Sequence, residues 1–399
     1  MGKRVSQLTA AALVVMIIAG AGCGSKTLKK ESVLDTPDNH FNQGMRELER
    51  GNLAEAKNEF ARAQGLDPKY AEAHAGMGLA FAVEAEGAKD KKAQEALYDK
   101  ALSAVNEALG KNDKSVESYI IKGRVLAMRM KDDDWIKESV EQFEKALKLN
   151  PNSDKAWFYT GEAYKNAYQF DMSANAYSKA IAMKGEYAGR AAGQWAIVQK
   201  IQRAAPGTKI GAKIALIAEI DRADLAVLLL EELKLVEVFA KKKTPTYDTG
   251  FKAPDDPTKM TTTASGPTMS GPTDIANHWA KNWIDDIVKI GGMDEFPDHT
   301  FRPDDLITRA NYSMTMQQIL ILATSDKTLA TKYFGGQSRF PDMRSDHFAY
   351  NAAALMVDRG IMTTDNKMTG AFNPEGKMSG ADALLAIRDF QNALRMEFR

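Results

Sequence analysis

Small and aromatic residues return at helical spacing through the first half of the chain. Gly44, Ala56, Phe60, Ala63 and Pro68 set a pattern, and Gly161, Ser173, Tyr177, Ala180 and Gly185 repeat its spacing. Two stretched copies lie between them. Gly78 and Phe81 lead to Ala101, Val105 and Ala108, and Gly123 leads to Ser139, Phe143, Ala146 and Pro151. The extra residues, 84–92 and 131–134, are polar and fall between the two helices of each unit. Small residues let two helices cross closely, and an aromatic fills the gap beside them. A proline beyond the second helix stops it. Asp67-Pro68 and Asn150-Pro151 mark such stops. The pattern predicts helix pairs over residues 37–185. A further helix at 188–204 caps the stack, as atypical terminal repeats do, and a short connection follows at 206–213.

The pattern then changes. Asp274-Ile275 and His278-Trp279-Ala280 precede a helix carrying Ile284, Ile287 and Ile290. A turn, Phe296-Pro297-Asp298-His299-Thr300-Phe301-Arg302-Pro303, leads to Ile307-Thr308-Arg309-Ala310-Asn311 and another apolar helix. A second copy runs through Phe340-Pro341-Asp342-Met343, His347-Phe348-Ala349, Gly360-Ile361 and Phe372-Asn373-Pro374. It ends at Met378-Ser379-Gly380-Ala381-Asp382, where Gly380 stands in place of the arginine. A third helix start of this kind lies earlier, at Ile220-Asp221-Arg222-Ala223-Asp224. Three helices are thus predicted near 221–234, 308–322 and 379–394, with only two full helices of the Trp-Ala type between them. Asp221, Thr308 and Ser379 suit N-caps. Asp224 and Asp382 place carboxylates in the first turn, where the helix dipole favours them. Residues 241–273, rich in proline, glycine and threonine, read as a linker that interrupts this region.

The N-terminus reads as an address. Lys3 and Arg4 precede a largely apolar, uncharged stretch over residues 8–18, then Ala19-Gly20-Ala21-Gly22-Cys23. Charge, a short apolar stretch and small residues make a signal peptide. Its apolar part is shorter than the roughly 20 residues that a spanning helix needs.

Three resemblances follow. The run ending on Cys23, the only cysteine, resembles the lipobox of bacterial lipoproteins, although Gly20 stands where that family usually has leucine. The resemblance implies lipidation of Cys23, and Gly24 after it implies sorting to the outer membrane. Residues 37–185 resemble tetratricopeptide (TPR) repeats, which implies a curved helical surface that recruits a protein partner; a structural spacer is the other reading. Asn42, Lys122, Lys165 and Asn166 lie on first helices near the expected concave side. The motifs from Arg222 onward resemble S-layer homology (SLH) modules, which are arranged in threes and hold proteins to the wall, often through an anionic polymer bearing a ketal-linked pyruvate. By resemblance Arg222 and Arg309 pair with a ligand carboxylate and Trp279 stacks on a sugar face. A bland role also fits each: the arginines join neighbouring lobes, and Trp279 fills the core. Gly380 removes such a contact from the third position, and His299 replaces the usual turn glycine. These losses keep plain peptidoglycan open as a target beside a secondary wall polymer. The three lobes are complete, reduced, or completed by a partner.

Charge and inventory narrow the chemistry. The 399 residues hold 53 Lys plus Arg against 53 Asp plus Glu, so no basic footprint points to nucleic acid. Five histidines and one cysteine leave little for a metal cluster. No phosphate loop, His-Glu-x-x-His helix or Gly-x-Ser-x-Gly elbow occurs. Asp132-Asp133-Asp134 reads as a solvated loop. No catalytic residue, metal or cofactor is expected.

The expected fold class is all-α in the main: a helical-hairpin solenoid, then helical modules. The expected order is a lipoprotein signal peptide (1–22), a tether (23–36), TPR repeats with a capping helix (37–206) and an SLH-like region (207–399). The last holds a first hallmark helix (221–234), the linker (241–273), one repeat (274–322) and a degenerate repeat (340–394). The expected function is that of a cell-envelope lipoprotein with a lipid in the membrane, a protein partner on the repeats and peptidoglycan or an anionic polymer on the modules. The alternative is an accessory scaffold of an outer-membrane secretion, polysaccharide-export or assembly complex, whose modules dock to protein.

Overall fold

The structure, a computed structural model, describes residues 27–235, 237 and 271–397. Cys23, the signal peptide and most of the 241–273 segment lie outside the described residues. Among those described there are fifteen α-helices, one short 3-10 helix and no sheet. The chain divides into two compact units. One runs up to Ala167 and takes in Lys179–Ala188; the other holds Tyr168–Ser178 and the chain from Gly189 onward.

The first unit is a row of helical hairpins. Its helices are α1 (Pro37–Glu49), α2 (Leu53–Leu66), α3 (Ala71–Glu86), α4 (Lys91–Lys111), α5 (Val116–Arg129), α6 (Trp135–Leu149) and α7 (Asp154–Asn166). The division falls within α8 (Phe170–Ala182). α1 pairs with α2, α3 with α4 and α5 with α6, while α1, α3, α5 and α7 line up side by side. Each second helix buries the repeated positions: Ala56, Phe60 and Ala63; Ala101, Val105 and Ala108; Ser139, Phe143 and Ala146. In α8, Ser173, Tyr177 and Ala180 are buried too. The glycines explain the spacing. A Cβ on Gly44 or Gly76 would run into the Phe60 ring, and one on Gly123 would run into Phe143. The Ser139 hydroxyl donates to the Gly123 carbonyl at 2.8 Å, closing the same crossing.

Helix ends follow one recipe. Asp67, Asn112 and Asn150 leave α2, α4 and α6 in extended backbone. Their side-chain oxygens accept the amides of Lys69 (2.9 Å), Lys114 (3.0 Å) and Asn152 (3.2 Å), the Asx turn that lets these residues compete with helix. Ser115 and Ser153 then cap α5 and α7. Of the stretched connections, 131–134 is a loop, and Asp132, Asp133 and Asp134 are exposed. In 84–92 the extra residues mostly lengthen the helices, since α3 continues to Glu86 and α4 starts at Lys91.

The second unit holds α9 (Ala188–Ala204) apart from its first residue, α10 (Lys209–Ala215), α11 (Arg222–Glu231), α12 (Lys281–Lys289), α13 (Arg309–Thr324), α14 (Tyr350–Asp358) and α15 (Gly380–Glu397). Three of these, α11, α13 and α15, start from one point. The Ile220 amide donates to the Met378 carbonyl, Met378 to Ile307, and Ile307 back to Ile220, each at 2.9 Å. This closed ring of backbone bonds sits just before the three N-caps, and all three residues are buried. The next amides continue the pattern. Arg222 and Ala223 donate to Asp305 and Pro303, and Arg309 and Ala310 to Gly376 and Pro374. Asp221, Thr308 and Ser379 each accept from the amide three residues on. The first amides of α11 and α13, which have no intrahelical partner, are thereby satisfied.

Shorter helices fill the gaps around this centre. α12 packs on α11, α14 on α13, and α10 on both α15 and α11. The third outer element is therefore α10, which begins within the short connection read at 206–213. Its cap is Thr208, which accepts the Gly211 amide at 3.0 Å. The Glu232 carboxylate gathers the amides of Gly207 and Thr208 and the Thr208 hydroxyl. α11 is buried nearly all round, with Leu225, Val227, Leu228 and Leu229 shielded from solvent. Each such side chain contributes about 1.5–3 kcal/mol.

The close crossing at Gly123 gives a test. On an exposed helix, glycine to alanine stabilises by about 1 kcal/mol. Gly123→Ala should instead destabilise by about 1–3 kcal/mol, the usual penalty of overpacking. Urea denaturation measures it, and a variant as stable as wild type would refute the packing account.

Candidate functional site

The arginine at the start of α11 reaches across to the loop of the following module. Arg222 Nε donates to the Phe301 carbonyl (2.7 Å) and Nη2 to the Asp294 carbonyl (3.0 Å). Its guanidinium lies 4.6 Å from the Phe301 ring centre and 4.8 Å from that of Phe296. At the next corner Arg309 Nε donates to Phe372 (2.7 Å) and Nη2 to Thr363 (2.5 Å), with the guanidinium 4.8 Å from the Phe372 ring. Each arginine therefore joins one module to the next. Burial lowers both pKa values, against nearby carboxylates that raise them; arginine remains charged. In both side chains Nη1 takes no protein partner among the described residues.

The loops that receive the arginines are built alike. The Asp274 carboxylate accepts the Phe301 and Arg302 amides (2.8 and 2.7 Å), and Asp342 accepts those of Phe372 and Asn373 (2.8 and 2.6 Å). Arg302 and Asn373 are held in left-handed backbone by these clamps. His299 is also left-handed, at φ 58°, where Gly370 stands in the second copy. The turn geometry is thus kept without the glycine, against a steric penalty on a residue with a Cβ.

The two corners differ in one position. The Phe296 amide bonds the Thr300 carbonyl and the Asp365 amide bonds the Ala371 carbonyl, so Asp365 stands where Phe296 does. Arg222 thus has a second ring where Asp365 stands beside Arg309, and carboxylates lie near both guanidiniums: Asp305, Asp274 and Asp294 near Arg222, and Asp365, Asp382 and Asp342 near Arg309. At the third corner, Cβ on Gly380 would overlap the Ile214 carbonyl oxygen. The backbone at the end of α10 occupies the space, and the Gly380 amide bonds Ile217 at 2.9 Å. Lys200 of α9 pairs with Asp382 at 2.7 Å, and Arg388 holds the Ala204 and Ala205 carbonyls. The chain itself fills this corner.

Beside Arg222 a cleft of about 550 Å³ opens along α13, with Phe296, Phe334, Phe348 and Gln318 in its lining together with the acidic Asp294 and Glu295. Phe334 and Phe348 are 62% and 65% exposed. Trp279 is 53% exposed and is not among the residues lining this cleft. Its counterpart Phe348 lines it instead. The pairing is set by the motif: the amides of Ala280 and Ala349 each donate to the Nδ1 of the histidine two residues back, at 3.2 Å. Arg309 lies outside the cleft as well. Sequence reasoning missed Phe296, Phe334 and Phe348 as cleft residues. For Phe348 the signal was present, in its match to Trp279.

In the first unit a cleft of about 300 Å³ is lined by Glu86, Arg124, Met128, Phe143, Tyr159 and Asn166. The Arg124 guanidinium stacks 4.3 Å from the Tyr159 ring centre, and its buried Nη1 has no partner among the described residues. Of the other residues read from the sequence, Asn42 is exposed and bonds Asp38, Lys122 is half-buried, and Lys165 pairs with Glu162. No group of side chains suited to a metal ion occurs among the described residues.

Comparison with known proteins gives two likenesses. The S-layer homology domain family matches residues 339–384. No curated protein matches. Among solved structures the chain is similar to TTC0263, a thermophilic TPR protein of Thermus thermophilus, at 16% identity and a TM-score of 0.36, over 41% of this chain and 81% of that one.

The start of α11 holds two facing carboxylates. The Asp221 side chain accepts the Asp224 amide, and Asp224 accepts the Asp221 amide. Burial and the neighbouring Asp221 charge push Asp224 up to about 6. A carboxyl raised in this way holds its proton more tightly folded than unfolded. Its contribution to stability is present below the unfolded value near 3.8 and is lost as pH climbs through about 6. Asp224→Asn, the residue α13 carries as Asn311, should match wild type near pH 4 and exceed it by about 1–3 kcal/mol above pH 7. Urea denaturation at the two pH values decides, and a pH-independent difference would exclude the carboxylate repulsion.

Proposed function

We propose that the protein is a non-catalytic, lipid-anchored scaffold of the cell envelope, whose second unit contacts the wall through the Arg222 cleft and whose helical hairpins recruit a protein. One observation carries the wall contact: among the described residues Arg222 keeps Nη1 and one Nη2 hydrogen without a partner, beside a cleft lined by aromatic rings. A planar guanidinium with two donors on one edge suits a carboxylate in two-point contact. The rings of Phe334 and Phe348 suit the apolar face of a sugar. The ligand class is a wall glycan carrying a carboxylate, in peptidoglycan or an anionic secondary polymer. Arg309 and Trp279, both outside the cleft, are weaker candidates for direct contact. For the hairpin unit, the unpartnered Arg124 Nη1 in its cleft supports an acceptor group supplied by a protein partner. Cys23 carries the lipid on this reading, and Gly24 favours the outer membrane, with the body facing the periplasm.

Sedimentation with purified sacculi, before and after stripping attached polymers, tests the wall contact. The chain from residue 25 onward is used, so that no lipid carries it down. Wild type should co-sediment. Arg222→Ala should bind about 10–100-fold more weakly, as expected for loss of a charge-assisted pair of about 1.5–3 kcal/mol. Arg309→Ala should lose less. If wild type stays in solution, the modules face protein, and the accessory-scaffold reading takes its place. The anchor is tested separately. Cys23→Ser should move the protein from the membrane fraction to the soluble fraction after osmotic release, and a variant still pelleting with membranes would refute lipidation.

A further inference from the structure

We propose that residues 28–36 form a strap that a protonated His40 clamps onto α1 and α2, and that loss of that proton loosens the strap. The strap lies along the first hairpin. The Leu28 amide donates to the Gly65 carbonyl at 2.7 Å, and the Leu28 side chain rests on Gly65, where a Cβ would collide with it. The Asn39 side chain donates to the Leu34 carbonyl at 2.8 Å. Little apolar burial holds the segment otherwise, since Val33 and Leu34 are 93% and 75% exposed. Its attachment is mainly polar, and Asp35 is the hub.

The Asp35 carboxylate is buried and has three partners. It accepts the Glu31 amide at 2.7 Å, Arg62 through Nε (3.2 Å) and Nη2 (2.5 Å), and His40 Nε2 at 2.7 Å. The other ring nitrogen of His40, Nδ1, stands 2.5 Å from Glu59 of α2. Carboxylates only accept, so both ring nitrogens must donate, and only the imidazolium has two N–H groups. A neutral ring presents a lone pair to one of the two carboxylates, and that contact breaks. Asp35 from the strap and Glu59 from α2 are the charged groups on the ring. Arg62 of α2 and Glu31 of the strap stand one contact further, paired with each other at 3.1 Å.

The titration follows the geometry. Burial of the ring opposes its charge, but the bonds to Glu59 and Asp35 outweigh this, and the His40 pKa is raised. Asp35 is held well below the usual carboxylate range, first by Arg62, and stays ionised. A histidine raised by docking favours the docked strap at low pH. The effect is lost as pH rises through the raised value. Docking then weakens by up to tenfold per pH unit between the free and docked pKa values. A free strap of nine residues adds up to about 30 Å of reach. That consequence rests on Cys23 as the anchor, but the docking itself does not.

Hydrogen exchange of the Leu28 and Glu31 amides in the full chain, from pH 6 to 9 and corrected for intrinsic rates, tests this. Protection in wild type should fall as pH rises, by up to tenfold for each unit by which docking raises the His40 pKa, while the amides of α1 and α2 stay protected. In His40→Gln it should be low and flat. A ¹³C-labelled imidazole titration in wild type gives an independent reading, with His40 expected above the ordinary value of 6.5. Flat protection in wild type, an unchanged pH response in His40→Gln, or a His40 that titrates at or below its ordinary value would overturn the proposal.

Discussion

Three hydrogen bonds organise the second unit. Ile220, Ile307 and Met378 pass amide to carbonyl around a closed ring, and each stands one residue before a helix cap. The ring fixes where α11, α13 and α15 begin, and hence which faces they bury. Everything outward of it follows in order: caps, first amides bonded to the neighbouring loop, then an arginine side chain reaching that loop. Buried backbone groups must be paired, and here the pairing comes from segments 71, 87 and 158 residues apart in sequence. The geometry of the Arg222 cleft is therefore set by the centre of the module.

A ring made of backbone atoms leaves side chains at its rim free to diverge. Its three corners have done so. One keeps an arginine between two phenyl rings, and one keeps an arginine with Asp365 in place of a ring. One has lost the arginine, and the end of α10 occupies the space. Gly380 leaves no void, because the Ile214 carbonyl lies where its Cβ would be, and Lys200 pairs with Asp382. The corner that joins α9 and α10 to the module is the one that gave up its groove.

Much of this was legible in the sequence, for physical reasons that differ by unit. In the hairpins, the pairs Gly44 with Phe60 and Gly123 with Phe143 act within about 20 residues, so close packing leaves a local periodic trace. α9 was readable to its last residue, because Ala205-Pro206-Gly207 ends it. The three central helices were readable from their caps. α10 was not, because seven residues, Gly211 among them, are too few to show an amphipathic period. The division of the chain within α8 and the ring itself had no local signal, since both arise from contacts distant in sequence. At the cleft, Arg222 was readable from its motif. Phe334 was not, because nothing in residues 325–338 repeats elsewhere in the chain.

Trp279 shows where motif reasoning stops. The His-aromatic-Ala signature fixes backbone geometry in both copies, through the histidine Nδ1 and the buried alanine. It leaves the aromatic exposed in both, so the motif alone places a ring at each corner and gives no reason to prefer one. What separates them is the neighbouring corner. Phe348 shares a cleft lining with Arg222, while Trp279 packs 6.0 Å from Trp283. The same residue type in the same local frame thus meets different chemistry, and the difference is decided by the module next to it. The cleft beside Arg222 belongs to a pair of modules, so its lining has to be read two repeats at a time.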